Sequence, residues 1–142
     1  MILPDVNLLI YAVDETAPRH QRACAWLEDV LSGTEEVGFA WAVVLGFVRV
    51  STNPRAFEDP LEAAGAFDYV EEWLARPVSL ALSPGPGHVA LMRELLLPLG
   101  VAGNLTSDAH LAALAIEHGA ELCSSDTDFG RFAGLRWRDP VS

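Results

Sequence analysis

The sequence predicts an α/β fold, a parallel sheet covered by helices on both faces, and three observations predict it. Short apolar runs alternate with longer segments of helical period, which is the pattern of strand–helix–strand units. The connections between them are short, and no linker, internal repeat or shift in composition interrupts the chain, so residues 1–142 read as a single domain. At 142 residues and 51% hydrophobic content, the chain can bury a sizeable core without a disulfide or structural metal.

The elements follow in order. Met1 to Val6 reads as a buried strand, with a short helical segment through Leu9 to Val13. Pro18 opens a helix to about Leu31, in which Ala23, Trp26, Leu27, Val30 and Leu31 share a face. Val37 to Ala40 reads as a second strand. Trp41 to about Ser51 reads as a buried helix, stopped by Thr52-Asn53-Pro54. Pro60-Leu61-Glu62 places proline and an acid in the first turn of a helix that ends at Arg76-Pro77.

Val78 to Leu82 reads as a third strand, and the Pro84-Gly85-Pro86-Gly87 loop leads into a helix from His88 to Leu97. Thr106-Ser107-Asp108 caps an alanine- and leucine-rich helix that ends at His118, with Gly119 in the position after the cap. Glu121 to Ser124 is a fourth strand. Asp128 begins a short helical turn, and Leu135 to Trp137 forms an edge strand.

Charge narrows the function. Twenty acidic residues oppose nine basic ones, all arginine, for a net charge of −11. Such a chain does not bind nucleic acid through clustered cations; any phosphate must be met by a metal ion or a few placed arginines. The lack of lysine excludes Schiff-base chemistry, a Walker-type phosphate loop and a receiver domain. It also counts against a haloacid-dehalogenase-type phosphatase, as does the late position of the Asp126-Thr127-Asp128 run. Cys24 and Cys123 have no metal-ligand spacing and read as small buried hydrophobes. The Val37–Val48 stretch falls short of the ~18 residues of a membrane span, and no basic leader precedes the first strand. A cytoplasmic protein is the expectation.

Asp5 at the carboxyl end of the first strand, Asp126 just past the fourth strand and Asp108 at a helix start share one address. Ligands of open α/β sheets bind in the crevice beyond the strands' carboxyl ends. Each aspartate has a bland alternative: a helix-start acid for Asp108, turn and cap residues for Asp126 and Asp128, a backbone-bonded turn residue for Asp5. Crowded carboxylates repel, and a divalent cation reverses that cost. An all-oxygen donor set suits Mg²⁺, with Mn²⁺ as substitute, for activating water against a phosphodiester.

Four motifs then carry a resemblance. Asp5-Val-Asn-Leu-Leu-Ile-Tyr-Ala12, Leu45-Gly-Phe-Val-Arg-Val-Ser-Thr-Asn-Pro54, Asn104-Leu-Thr-Ser-Asp-Ala-His-Leu-Ala-Ala-Leu-Ala115 and Ser124-Ser-Asp-Thr-Asp-Phe129 resemble PIN-domain ribonucleases. In particular they resemble the VapC toxins of bacterial toxin–antitoxin pairs. The resemblance implies a three-layer α/β/α sandwich, Mg²⁺-dependent endonucleolytic cleavage of RNA, a homodimer and inhibition by a VapB-like antitoxin. It implies Asp5 and Asp108 as principal metal ligands, Asp126 as the residue completing the site, Asn7 and Ser124 as orienting groups, and Asp128 in support.

Many PIN domains carry a glutamate near the position of Gly46, and no acid occurs between Gly38 and Phe57. The expectation is therefore one carboxylate fewer, and a catalytically weakened PIN-like binding module is the alternative function. Arg49 is a candidate for pairing a pocket carboxylate or contacting phosphate, and Arg131 for gripping substrate. His110 reads as a minor site neighbour, and His20 and His88 as helix-start residues. Phe67, Tyr69, Val70 and Trp73 form an apolar face suited to core packing, a dimer or an antitoxin helix. The antitoxin is expected to bring a basic segment to the acidic pocket.

Overall fold

The computed structural model describes residues 1–142 and contains five strands: β1 (Ile2–Pro4), β2 (Val37–Ala40), β3 (Ser79–Leu82), β4 (Glu121–Cys123) and β5 (Trp137–Arg138). All pair in parallel, in the order β3-β2-β1-β4-β5. Six α-helices connect them: α1 (Val6–Val13), α2 (His20–Leu31), α3 (Trp41–Ser51), α4 (Ala63–Leu74), α5 (His88–Leu96) and α6 (Thr106–Glu117). Parallel pairing demands such crossovers, and the helices cover the sheet in the predicted α/β arrangement.

The central strands are buried throughout, as a doubly covered sheet requires. Leu3, Val37, Phe39 and Leu122 anchor the main core with Leu9, Phe47 and Leu114 from the helices. Phe47 meets Trp73 edge-on at 4.8 Å, fixing α3 against α4. On β2, a side chain at Gly38 would overlap the Leu82 side chain of β3, which occupies the space above the glycine. In α6, Leu111 to Ala115 are all buried, and the alanines let the helix lie close to the sheet. Gly119 leaves α6 at φ 62°, the left-handed exit expected of it, and Ala120 turns into β4.

Several boundaries differ from the sequence expectation. β1 stops at Pro4, because Asp5 leaves the strand as the cap of α1, which starts at Val6 rather than Leu9. α2 begins at His20, past Pro18. The helix expected from Pro60 begins at Ala63, so Glu62 precedes it without a capping hydrogen bond. Leu105, not a hydroxyl residue, precedes α6, and Asp108 lies in its first turn. The edge strand is Trp137–Arg138. On α4, Val70 and Trp73 are buried whereas Phe67 and Tyr69 are exposed, so the four do not form one core face. Cys123 is buried, but Cys24 is only half-buried.

The chain order determines where a site can form. From β1 the chain crosses to β2 on one side, while β4 returns to pair on the other. The carboxyl ends of β1 and β4 therefore flank the switch point of the sheet, where a crevice opens. The β1–β4 register pairs Pro4 with Cys123, and Asp5 N–H continues it by donating to the Cys123 carbonyl at 2.9 Å. The next residues on both strands, Asp5 and Ser124, are thereby brought side by side.

Candidate metal centre

Asp5 is buried at this junction, with hydrogen bonds to both carboxylate oxygens. Oδ1 accepts from Val6 N–H at 2.7 Å. Oδ2 accepts from the Ser124 hydroxyl at 2.7 Å and from Asn7 Nδ2 at 3.3 Å. Burial pushes the Asp5 carboxyl above the usual range; the Ser124 and Val6 hydrogen bonds pull against that, and Asp126 adds to it.

Ser124 is the hub. Its hydroxyl also accepts from Asn7 Nδ2 and from Asp126 N–H, each at 3.0 Å. Its carbonyl takes the indole N–H of Trp137 at 3.0 Å. Asn7 reaches further through Oδ1, which accepts from Ser125 N–H at 3.4 Å. Asn7 and Ser124 thus hold Asp5 and the 125–126 backbone in one network, the arrangement expected of orienting groups. Tyr11 adds a contact that the sequence reading missed, its hydroxyl lying 3.3 Å from Ser125 Oγ.

Beyond the network, Asp108, Asp126 and Asp128 each bring one carboxylate oxygen within 4.8 Å of the others. Asp126 caps the 3₁₀ turn Thr127–Arg131, Oδ1 accepting from Asp128 N–H at 2.9 Å, which leaves Oδ2 free. Asp108, in the first turn of α6, accepts no hydrogen bond from a protein group, although it is half-buried. Its carboxyl is pushed up to about 6, first by desolvation and then by the charges of Asp126, Asp5 and Asp128. Four carboxylates from opposite ends of the chain therefore interact in one crevice.

Asp128, expected in support, brings a carboxylate oxygen within 4.8 Å of Asp108 and Asp126, while Asp5, held by Ser124, lies close enough for its charge to act on Asp108. The Asp-x-Asp spacing around a tight turn was the available signal: a turn that caps itself on Asp126 swings Asp128 to the same side. Arg131 lies 3.9 Å from Asp128 at the exposed rim, a weak pair. Arg49 is exposed and makes no ion pair, so it is not the buried partner of a pocket carboxylate. His110 turns away to His88, its Nδ1 2.8 Å from His88 Nε2, while His88 Nδ1 contacts Glu117. His88 is accordingly a buried bridge between α5 and α6 rather than a plain helix-start residue.

The donor set fits a hard divalent cation. It is all oxygen, it includes carboxylate oxygens without protein partners, and its mutual repulsion is relieved by positive charge. At Gly46 a Cβ would meet Val6 Cγ2 at 3.5 Å, ordinary contact beside the Asp5 cap. A longer side chain there would start next to the crevice.

Residues 2–135 match the PIN domain. The chain belongs to the PIN-domain family. This PIN domain is 47% identical over 141 residues to Ribonuclease VapC33 of Mycobacterium tuberculosis, a match covering 99% of each chain. It is 44% identical over 140 residues to Ribonuclease VapC37 of the same organism, covering 99% of this chain and 97% of that one. Its backbone is similar to VapBC2 from Rickettsia felis bound to a promoter DNA fragment, at TM-score 0.68 and 19% identity, covering 97% of this chain and 98% of that one. It is equally similar to VapBC-1 from nontypeable Haemophilus influenzae, at TM-score 0.68 and 19% identity over the whole of both chains. The last two matches speak to the fold, which is the PIN-like α/β arrangement expected.

Proposed function

We propose that this PIN domain is a metal-dependent endoribonuclease and the toxin of a toxin–antitoxin pair. The observation that carries the reading is the convergence of free carboxylate oxygens from Asp108, Asp126 and Asp128 on one point beside buried Asp5. The names of its M. tuberculosis relatives, ribonucleases at 47% and 44% identity, support the activity. Asp108, Asp126 and Asp128 would hold Mg²⁺ or Mn²⁺, with Asp5 directly or through water. Such an ion, when bound, would lower the pKa of a water it holds and neutralise charge on a phosphodiester.

The chain's own residues do the rest. Ser124 and Asn7 fix the Asp5 carboxylate in one orientation, so its charge faces the cluster without reorganisation. Asp126 is held by its own turn. Arg131, at the exposed rim, is placed to meet an RNA phosphate as it approaches, and Arg49 offers a second exposed cation. With a net charge of −11, productive RNA contact depends on these few groups and the ion.

The same reading includes a VapB-like antitoxin whose basic segment enters the acidic crevice in competition with metal, and a homodimer. Exposed apolar side chains at Trp41, Leu45, Phe67 and Val89 offer surface for such contacts. It also places the protein's action in the cytoplasm; no helix is long and apolar enough to cross a membrane.

The test incubates purified protein with mixed RNA in Mg²⁺ or Mn²⁺. Cleavage that chelator abolishes, and that Asp108→Asn and Asp126→Asn also abolish, is the expected result. RNA left intact under every metal condition would overturn the enzyme reading in favour of a catalytically weakened binding module, the reading that the missing acid at Gly46 favours.

A further inference from the structure

A second acidic depression lies at the other end of α1. Asp5 caps the start of that helix and Asp14 its end, so nine residues at 1.5 Å each put the two about 13 Å apart. The depression has a volume of about 240 Å³ and apolar walls from Val13, Phe57 and Leu61. Asp14, Glu15 and Asp59 supply carboxylates to it, and Ser51 also lines it. None of these residues belongs to the metal centre.

We infer that this depression anchors a cationic side chain, arginine above all, from a partner polypeptide. Ser51 gives the first reason. It is 2% exposed, yet its hydroxyl has no hydrogen-bond partner. A buried hydroxyl left unpaired is costly and rare, and a guanidinium N–H entering the depression that Ser51 lines would give the hydroxyl oxygen a donor once the side chain turns toward it.

Electrostatics gives the second. α1 ends at Val13 and α3 ends at Ser51, so the negative ends of two helix dipoles converge where the three carboxylates stand. Asp14 engages one oxygen, Oδ1, with Thr16 N–H and Oγ1, leaving Oδ2 free. No cation of the chain pairs with the group: Asp14, Glu15 and Asp59 make no ion pair, Arg55 makes none, and Arg19 pairs with Asp139 instead. The walls give the third. Val13, Phe57 and Leu61 offer nothing to a bare ion but suit the methylene stem behind a guanidinium.

The test titrates ¹⁵N-labelled full-length protein with acetyl-Leu-Arg-Leu-amide, and separately with the same peptide carrying neutral citrulline for arginine. Saturable amide shifts at Asp14 to Thr16, Ser51, Phe57 to Asp59 and Leu61 are expected, with about tenfold weaker binding of the citrulline peptide. Asp59→Asn, at an exposed position with no hydrogen bond to lose, and Ser51→Ala should each weaken binding about threefold or more. Absence of binding, equal binding of the citrulline peptide, shifts confined to Asp5, Asp108 and Asp126, or indifference to both substitutions would each overturn the inference. None of these outcomes depends on nuclease activity.

Discussion

Ser124 Oγ and Asp5 Oδ2 lie 2.7 Å apart, although 119 positions separate the two residues in sequence. The parallel β1–β4 register brings them together, and it makes one hydroxyl responsible for both the orientation of Asp5 and the path of the chain into Asp126.

Removing that hydroxyl should therefore act on both. Ser124→Ala leaves Asp5 Oδ2 with Asn7 alone and the Asp126 N–H without its acceptor. The expected loss is about 1–3 kcal/mol of stability in urea unfolding and about 10–100-fold in metal affinity or cleavage rate. Because the Ser124 bond is one of the groups holding the Asp5 carboxyl down, the acidic limb of a pH–rate profile should also move to higher pH. An unmoved limb would show that Asp5 does not titrate with activity.

Asp108 makes stability depend on pH in an unusual direction. Its carboxyl ionises at about 6 in the folded chain against 3.8 ordinarily, so between these values the folded state holds more protons than the unfolded one. Stability of the metal-free protein should then fall as pH rises from about 4 to about 6, and the penalty is complete above that. For a half-buried group screened by water, the effect is on the order of 1 kcal/mol. Asp5, also raised, adds in the same direction. Thermal melts in chelator across this range check it, and excess Mg²⁺ should flatten the curve by holding the carboxylates ionised.

Asp108→Asn should accordingly inactivate the protein while stabilising it. At pH 7.5 without metal it removes one of four mutually repelling charges, worth on the order of 1 kcal/mol and about 3 °C in melting temperature. With saturating Mn²⁺ the order should reverse, the native sequence melting higher through bound metal. A substitution that lowers the metal-free melting temperature would indicate that Asp108 caps α6 rather than serving the crevice.

Much of this was legible beforehand, for physical reasons that differ by residue. The strand of Val37 to Ala40 and the helix of Trp41 to Ser51 appear at their expected positions, since buried apolar runs and the Asn53-Pro54 stop leave little choice. That Asp5, Asp108 and Asp126 lie near the carboxyl edge of the sheet was readable from their places at strand ends and a helix start. What stayed hidden depends on side-chain direction. The Ser124–Asn7 clasp on Asp5, the approach of Asp128 to Asp108 and Asp126, and the His88 bridge to Glu117 and His110 each turn on which way a residue faces once its backbone turns. Spacing alone does not encode that.

Gly46 offers the complementary test, adding a carboxylate instead of removing one. A Cβ there makes ordinary contact with Val6 Cγ2 at 3.5 Å, so a side chain can start at this position without overlap. Replacing glycine inside α3 also favours the helix by about 0.5–1 kcal/mol. Gly46→Glu should therefore fold, and its carboxylate should extend from beside Val6 toward the crevice that Asp5 backs. Since affinity for hard cations follows the number of charged oxygen ligands, Mn²⁺ should bind roughly tenfold more tightly by calorimetry at pH 7.5. Gly46→Gln, of the same shape but neutral, should fold equally well and gain little. If the glutamate and glutamine variants bind Mn²⁺ alike, position 46 does not reach the ion, and the centre in this chain is complete with Asp5, Asp108, Asp126 and Asp128.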